Sequence, residues 1–149
     1  MTILHDKGHE IESGIFHGLT WDSDFSENDL DALFSEARKN RGNKARFCIH
    51  PTSSDILQVT VLAFIKPYSD LVHKHPHRPE LIFPIRGKAS HHTLDGLGTS
   101  VRTVLLDSEN PKILSTAAHS WHSLEVQSAE FAMIEIGTGP FLSDSTVLK

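Results

Sequence analysis

The sequence predicts an all-β domain: an antiparallel barrel or jelly roll of short strands, preceded by one amphipathic helix. Three observations carry this. Apolar spacing changes from a helical to an alternating period near residue 44. Short runs rich in β-branched and aromatic residues then follow one another between turn residues. Finally, 149 residues fit one domain and leave no room for a second sizeable core. The expected layout is a single domain over 1–149, with an arm and helix in 1–44 and the barrel in 45–141.

Residues 1–25 are mixed and polar, with His5, His9 and His17 scattered among Gly and Asp, and read as an irregular arm with room for one short strand. Ser26-Glu27-Asn28-Asp29 looks like a helix N-cap with an acid three residues on. Leu30, Leu33, Phe34 and Ala37 follow at helical spacing and Gly42 stops the run, which predicts a helix near 27–40 docked by this stripe. Strands are expected at Ala45–His50, Gln58–Ile65, Leu71–His75, Leu81–Ile85, Ala89–Leu94, Ser100–Leu106, Lys112–Ser115, Ser123–Val126 and Glu130–Ile136. Pro67, Asp95-Gly96, Asn110-Pro111 and the segment from Gly137 to Gly139 punctuate them. No linker, repeat or low-complexity stretch interrupts the chain.

The charge balance excludes some partners. Lys and Arg total 14 against 19 acids, so a nucleic-acid backbone is not an expected partner. No apolar run approaches the roughly 18 residues of a membrane helix, and MTILHDKGHE lacks the apolar core of a secretory signal. The lone Cys48 cannot form an internal disulfide, and a cytoplasmic location is expected. Histidine is the outlier, with 11 copies whose positions need explaining.

His73-Lys74-His75-Pro76-His77-Arg78-Pro79-Glu80 concentrates three imidazoles and a carboxylate in one short segment. Alternate side chains of a strand share a face, so His73 and His75 point the same way. Glu80 can return to the same ion if Pro76 and Pro79 turn the chain between them. Ser120-Trp121-His122 is the best distant source of a fourth ligand, and His77, on the face of His75, is an alternative. Imidazoles with one carboxylate suit Fe, Mn, Ni, Cu or Zn over Mg or Ca. Among the other candidates, Arg46, Cys48 and His50 share one strand face. They line a pocket if that face points inward, with Arg46 an anchor for a carboxylate or phosphate. Cys48 is expected as a small buried apolar residue. His91 and His92 are strand neighbours, so at most one faces the interior. Glu135 either faces solvent or serves as a pocket acid.

These residues carry a family resemblance. The first cupin motif, G-x5-H-x-H-x(3,4)-E-x6-G, is matched by His73, His75, Glu80 and Gly87, with Pro67 in place of the leading glycine. Of the second motif, G-x5-P-x-G-x2-H-x3-N, only His122 is kept; Pro111, Ala117, His119 and Val126 stand at the other marked positions. His119 takes the place of a turn glycine, a substitution that histidine's access to the left-handed region allows. The chain is similar in particular to WbuC-type cupin-fold metalloproteins. Its capped helix precedes His73-Lys74-His75-Pro76, Trp121-His122 and Gly139-Pro140-Phe141 in that family's order, and Arg46, Cys48, His50 and Gln58 look similar to its earlier pattern.

The resemblance implies a double-stranded β-helix holding one divalent transition metal (Fe, Mn, Ni or Zn) through His73, His75, Glu80 and His122. Against the family spacing, His75 paired with His77 lies too close to Glu80, which gives His77 a rim role. His50 and His77 are the candidate acid/base residues. The expected function is metal-dependent chemistry on a small polar metabolite, with isomerisation or epimerisation of a sugar in a polysaccharide-related pathway as the specific case. The alternatives are a non-catalytic metal- or ligand-binding sensor or accessory protein, or an iron-dependent oxygenase. Cupins of this size often pair, so a homodimer is expected.

Overall fold

A computed structural model describes residues 3–149. A one-turn helix α1 (Leu4–Lys7) opens the described chain, followed by β1 (Gly8–Glu12), β2 (Ile15–Gly18), α2 (Glu27–Lys39), β3 (Lys44–Cys48), β4 (Leu57–Ile65), β5 (His73–Lys74) and β6 (Glu80–Arg86). Then come β7 (Lys88–Leu94), β8 (Ser100–Asp107), β9 (Leu114–Thr116), β10 (Trp121–Val126), β11 (Glu130–Thr138) and β12 (Val147–Leu148). One sheet has the order β1-β2-β3-β4-β11-β6-β9 and the other β12-β5-β10-β7-β8. Every pairing between these strands is antiparallel except β2 with β3.

Helix α2 begins where the cap signal sits. Asp29 N–H donates to Ser26 Oγ at 3.4 Å, and Asp29 Oδ2 accepts the Ser26 N–H at 2.6 Å. Leu30, Leu33, Phe34 and Ala37 are buried against Ala45, Phe47, Val61, Ala63 and Ala132 of the larger sheet. The other face of that sheet supplies Leu62, Phe64, Ile82, Phe131 and Met133, which pack on Ala89, Leu106, Leu124 and Val126 of the smaller one. Strand alternation thus sorts β3, β4 and β11 into a helix-facing set and an interior set. Ala45 and Phe47 face the helix, so Lys44, Arg46 and Cys48 point into the space between the sheets.

Three features differ from the sequence expectation. The arm is not irregular: β1 and β2 form a hairpin that extends the larger sheet, with Ile15, Phe16 and His17 in parallel register against Arg46, Phe47 and Cys48. That pairing is non-local, so no periodicity within the arm announces it. The expected strand at 71–75 shrinks to His73–Lys74, because Pro76 and Pro79 divert the chain immediately afterwards. The chain also adds β12 beyond residue 141, pairing Val147 and Leu148 with Lys74 and His73. Gly87 closes the turn between β6 and β7 at φ 72°, where a Cβ would collide with the Glu130 carbonyl.

Candidate metal centre

Strand pairing brings the distant histidine to the local pair. His122 at the start of β10 lies directly opposite His73 of β5, with ring centroids 4.4 Å apart. His75 follows β5, and its ring lies 5.2 Å from that of His73 and 5.3 Å from that of His122. Each of the three offers a ligand atom within 4.8 Å of the other two. The turn that delivers His122 holds His119 at φ 65°, with the His119 N–H donating to the His75 carbonyl at 3.0 Å.

All three rings are oriented the same way. Nδ1 of His73, His75 and His122 lies 2.8, 2.9 and 2.8 Å from the carbonyls of Leu71, Ser145 and Ser120. A ring that donates Nδ1–H to a backbone carbonyl presents an unprotonated Nε2, the arrangement that metal-binding histidines use. Burial lowers the pKa of His75, and burial with the neighbouring His73 lowers that of His122 to about 3. These imidazoles are therefore neutral near pH 7, as ligands must be.

Glu80, at the start of β6 and only 2% exposed, stands beside this group at His75. Its Oε1 lies 3.2 Å from His75 Nε2 and 3.1 Å from Arg78 Nη2, yet neither carboxylate oxygen receives a hydrogen bond of proper geometry among the described residues. Burial and the charge of Glu135 push its pKa up to about 8, against the pull of Arg78. With His75 Nδ1–H given to Ser145, two lone pairs face each other across this contact. They repel unless a proton or a cation sits with them. Ligands about 2.1 Å from one ion are themselves about 3.0–3.4 Å apart in octahedral or tetrahedral geometry, so the His75–Glu80 spacing fits a shared ion, although Glu80 stands outside the trio whose ligand atoms all lie within 4.8 Å of one another. Three imidazoles and one carboxylate also form a donor set for a first-row transition metal.

The cavity beside these residues has a volume of about 400 Å³ and is lined by Lys44, Arg46, Tyr68, Asp70 and Glu135 together with His73, His75 and Glu80. Glu135, left open by the sequence, faces this interior. Lys44 Nζ donates to Tyr68 Oη at 3.3 Å, and Tyr68 in turn donates to Asp70 Oδ1. Burial lowers the Lys44 pKa and raises that of Tyr68, the latter with help from Asp70. The sequence reading did not single out Lys44, Tyr68 or Asp70. The usable signal was the alternation of Lys44 and Arg46 with the buried Ala45 and Phe47.

The two expected acid/base residues are not brought to the His73–His75–His122 group. His77 is exposed and lines a separate cavity with Arg78, Pro140 and Asp144. His50 is buried in an adjoining cavity beside His17 and Cys48. The strand alternation separates the other pair: His91 is buried and stacks on His122 at 5.4 Å, while His92 points away to Thr103 and Glu125.

The sequence matches no family model and no curated protein. Solved structures supply the likeness. The capsular polysaccharide assembling protein CapF from Staphylococcus aureus aligns over 73% of this chain and 32% of its own, with TM-score 0.61 and 15% identity. An uncharacterized conserved protein with a double-stranded β-helix domain from Klebsiella pneumoniae aligns over 73% and 86%, with TM-score 0.57 and 16% identity. The chain has a cupin fold. Oxalate decarboxylase from Bacillus subtilis, a protein with Mn(II) centres, aligns over 63% of this chain and 24% of its own, with TM-score 0.53 and 17% identity. The chain thus spans about a third of CapF and about a quarter of the decarboxylase. At such identities the likeness is one of fold, and chemistry must be argued from the site.

Proposed function

We propose that the protein is a metal-dependent cupin that holds one divalent transition-metal ion through His73, His75, Glu80 and His122 and acts on a small polar metabolite in the adjoining cavity. The observation that carries this reading is the buried Glu80 carboxylate, held 3.2 Å from the Nε2 of a ring whose Nδ1 is already committed to Ser145, with the Arg78 guanidinium at 3.1 Å on its other side. When bound, such an ion acts as a Lewis acid that polarises a carbonyl or hydroxyl oxygen. The chain supplies the rest. Arg46 offers a planar fork for a substrate carboxylate or phosphate. Lys44, Tyr68 and Asp70 form a hydrogen-bonded line able to hold or pass a proton, and Glu135 offers a carboxylate on the same wall. His50 and His77 lie outside this arrangement, so the acid/base role passes to these cavity residues.

The reaction class we favour is isomerisation or epimerisation of a sugar-like substrate. The similarity to WbuC-type proteins and the fold shared with CapF, a capsular polysaccharide assembling protein, support the sugar, and the cavity's cationic and anionic groups support a polar ligand. The Mn(II) centres of the decarboxylase support manganese as a candidate occupant, beside iron, nickel and zinc. The test is metal analysis of protein purified without affinity metals, followed by turnover of nucleotide-activated sugars under anaerobic conditions. Wild type should carry one more equivalent of metal per chain than His122→Ala, and turnover should persist without oxygen and with manganese or zinc in place of iron. Equal metal content in both proteins overturns the site. Strict dependence on dioxygen overturns the reaction class, and binding of a sugar without turnover replaces the enzyme by a binding module.

A further inference from the structure

We propose that His17, Cys48 and His50 form a second metal site, for a thiophilic divalent ion of the zinc class, independent of the centre above. The parallel pairing of β2 with β3 sets His17 beside Cys48, and His50 follows two residues on, returning to the same face. All three are buried, with 8%, 6% and 2% exposure, and each offers a ligand atom within 4.8 Å of the other two.

The rings are held as metal ligands are held. His17 Nδ1 lies 3.2 Å from the His50 carbonyl, and His50 Nδ1 lies 3.0 Å from the Val59 carbonyl. The Val59 N–H is also 3.0 Å from His50 Nδ1, so this ring has two tautomers available. A cation selects the one that donates Nδ1–H to the carbonyl and frees Nε2. Burial raises the pKa of the Cys48 thiol, against the pull of Thr60 Oγ1, which donates to Cys48 Sγ at 3.8 Å, and of Arg46, so the thiolate forms together with the ion that it binds. The three ligands line one wall of a cavity of about 210 Å³ that Glu12, Arg46 and Glu135 also line. Three protein ligands with a face open to a cavity form an open site, and two imidazoles with a thiolate suit zinc, cobalt or copper better than manganese. Arg46 and Glu135 border both this cavity and the one beside His73 and His75, so the two cavities adjoin.

Cobalt(II) titrated into the metal-free full-length protein tests the site directly. Cys48 is the only cysteine in the chain, so a sulfur-to-cobalt charge-transfer band reports this site and not the histidine–glutamate centre. Wild type should bind two equivalents, one of them with the band. Cys48→Ser should remove the band and one equivalent, His17→Gln should weaken the band-forming step tenfold or more, and His122→Ala should leave the band intact. Absence of the band from wild type overturns the proposal whatever the variants do. A band that survives Cys48→Ser also overturns it. Loss of one equivalent in His122→Ala with the band retained supports the independence of the two sites, and loss of the band in that variant overturns it.

Discussion

Glu80 owes its position to a glycine on the neighbouring strand. Gly137 faces Glu80 in the β11–β6 register, and a Cβ there would meet the Arg78 guanidinium at 2.5–2.8 Å. The missing side chain lets a 7%-exposed arginine lie against β11 and reach the carboxylate. Even so, burial and Glu135 outweigh Arg78, and the pKa of Glu80 rises from 4.5 to about 8. The folded metal-free protein therefore holds this proton more tightly than the unfolded chain does. Stability from Glu80 is present in full below its unfolded value and declines as pH rises towards 8. His91 and His122, lowered to about 4 and about 3, act in the opposite sense, adding stability as pH rises, but only up to the ordinary histidine value of 6.5. Between pH 6.5 and 8 the slope thus belongs to Glu80 among these groups. Urea unfolding of metal-free protein should show stability falling by up to about 1.4 kcal/mol per pH unit there, and Glu80→Gln should flatten the decline. A flat wild-type profile would refute the raised pKa of the buried carboxylate. In metal-loaded protein the sign should reverse, because protons compete with the ion for the same oxygens.

Helix α2 covers the face of the larger sheet remote from the metal centre, and its start is fixed locally. Ser26 Oγ accepts the Asp29 N–H and donates to Asp29 Oδ2 at 2.7 Å, while Lys7 Nζ reaches the same carboxylate at 2.8 Å. Ser26→Ala should cost about 1 kcal/mol, read as a lower urea midpoint, with metal content unchanged because the change lies across the sheet. A loss of metal in this variant would mean that the two faces are coupled. The helix, most strands and the turn at His119 were legible because cap, alternation and left-handed propensity act within a few residues. The hairpin of β1 and β2 was not, since Ile15, Phe16 and His17 become a strand only by pairing with β3 some 30 residues later. With the hairpin went His17, whose chemistry depends on that register. The two-residue β5 also fell short of its expected length, since prolines outweighed the apolar run.

Across the whole molecule, the four proposed ligands could be named from the resemblance to the cupin motifs, but what orients them could not. The carbonyls holding His73 and His122 come from two residues upstream of each, within the local chain. The one holding His75 belongs to Ser145, 70 residues away, on the segment that returns to form β12. That segment is anchored by Ser145 Oγ accepting the Leu142 N–H at 2.7 Å and by the Lys149 N–H donating to the Val72 carbonyl at 3.0 Å. Val147 and Leu148 remain exposed, so the return adds little to the apolar core. Its contribution is directional: it fixes which nitrogen of His75 faces Glu80. A side-chain substitution cannot remove a carbonyl, so the decisive variant ends the chain at residue 142. Loss of an outer hydrogen bond to a ligating histidine lowers metal affinity about 10- to 100-fold, and a fall of that size is expected. Circular dichroism should stay that of the full chain, because neither sheet loses a core strand. The measurement is a competition titration against a chromophoric chelator, in the Cys48→Ser background so that only the histidine–glutamate centre is read. Unchanged affinity in the shortened chain would mean that β5 and β6 alone orient His75, and that the Ser145 contact is incidental to metal binding.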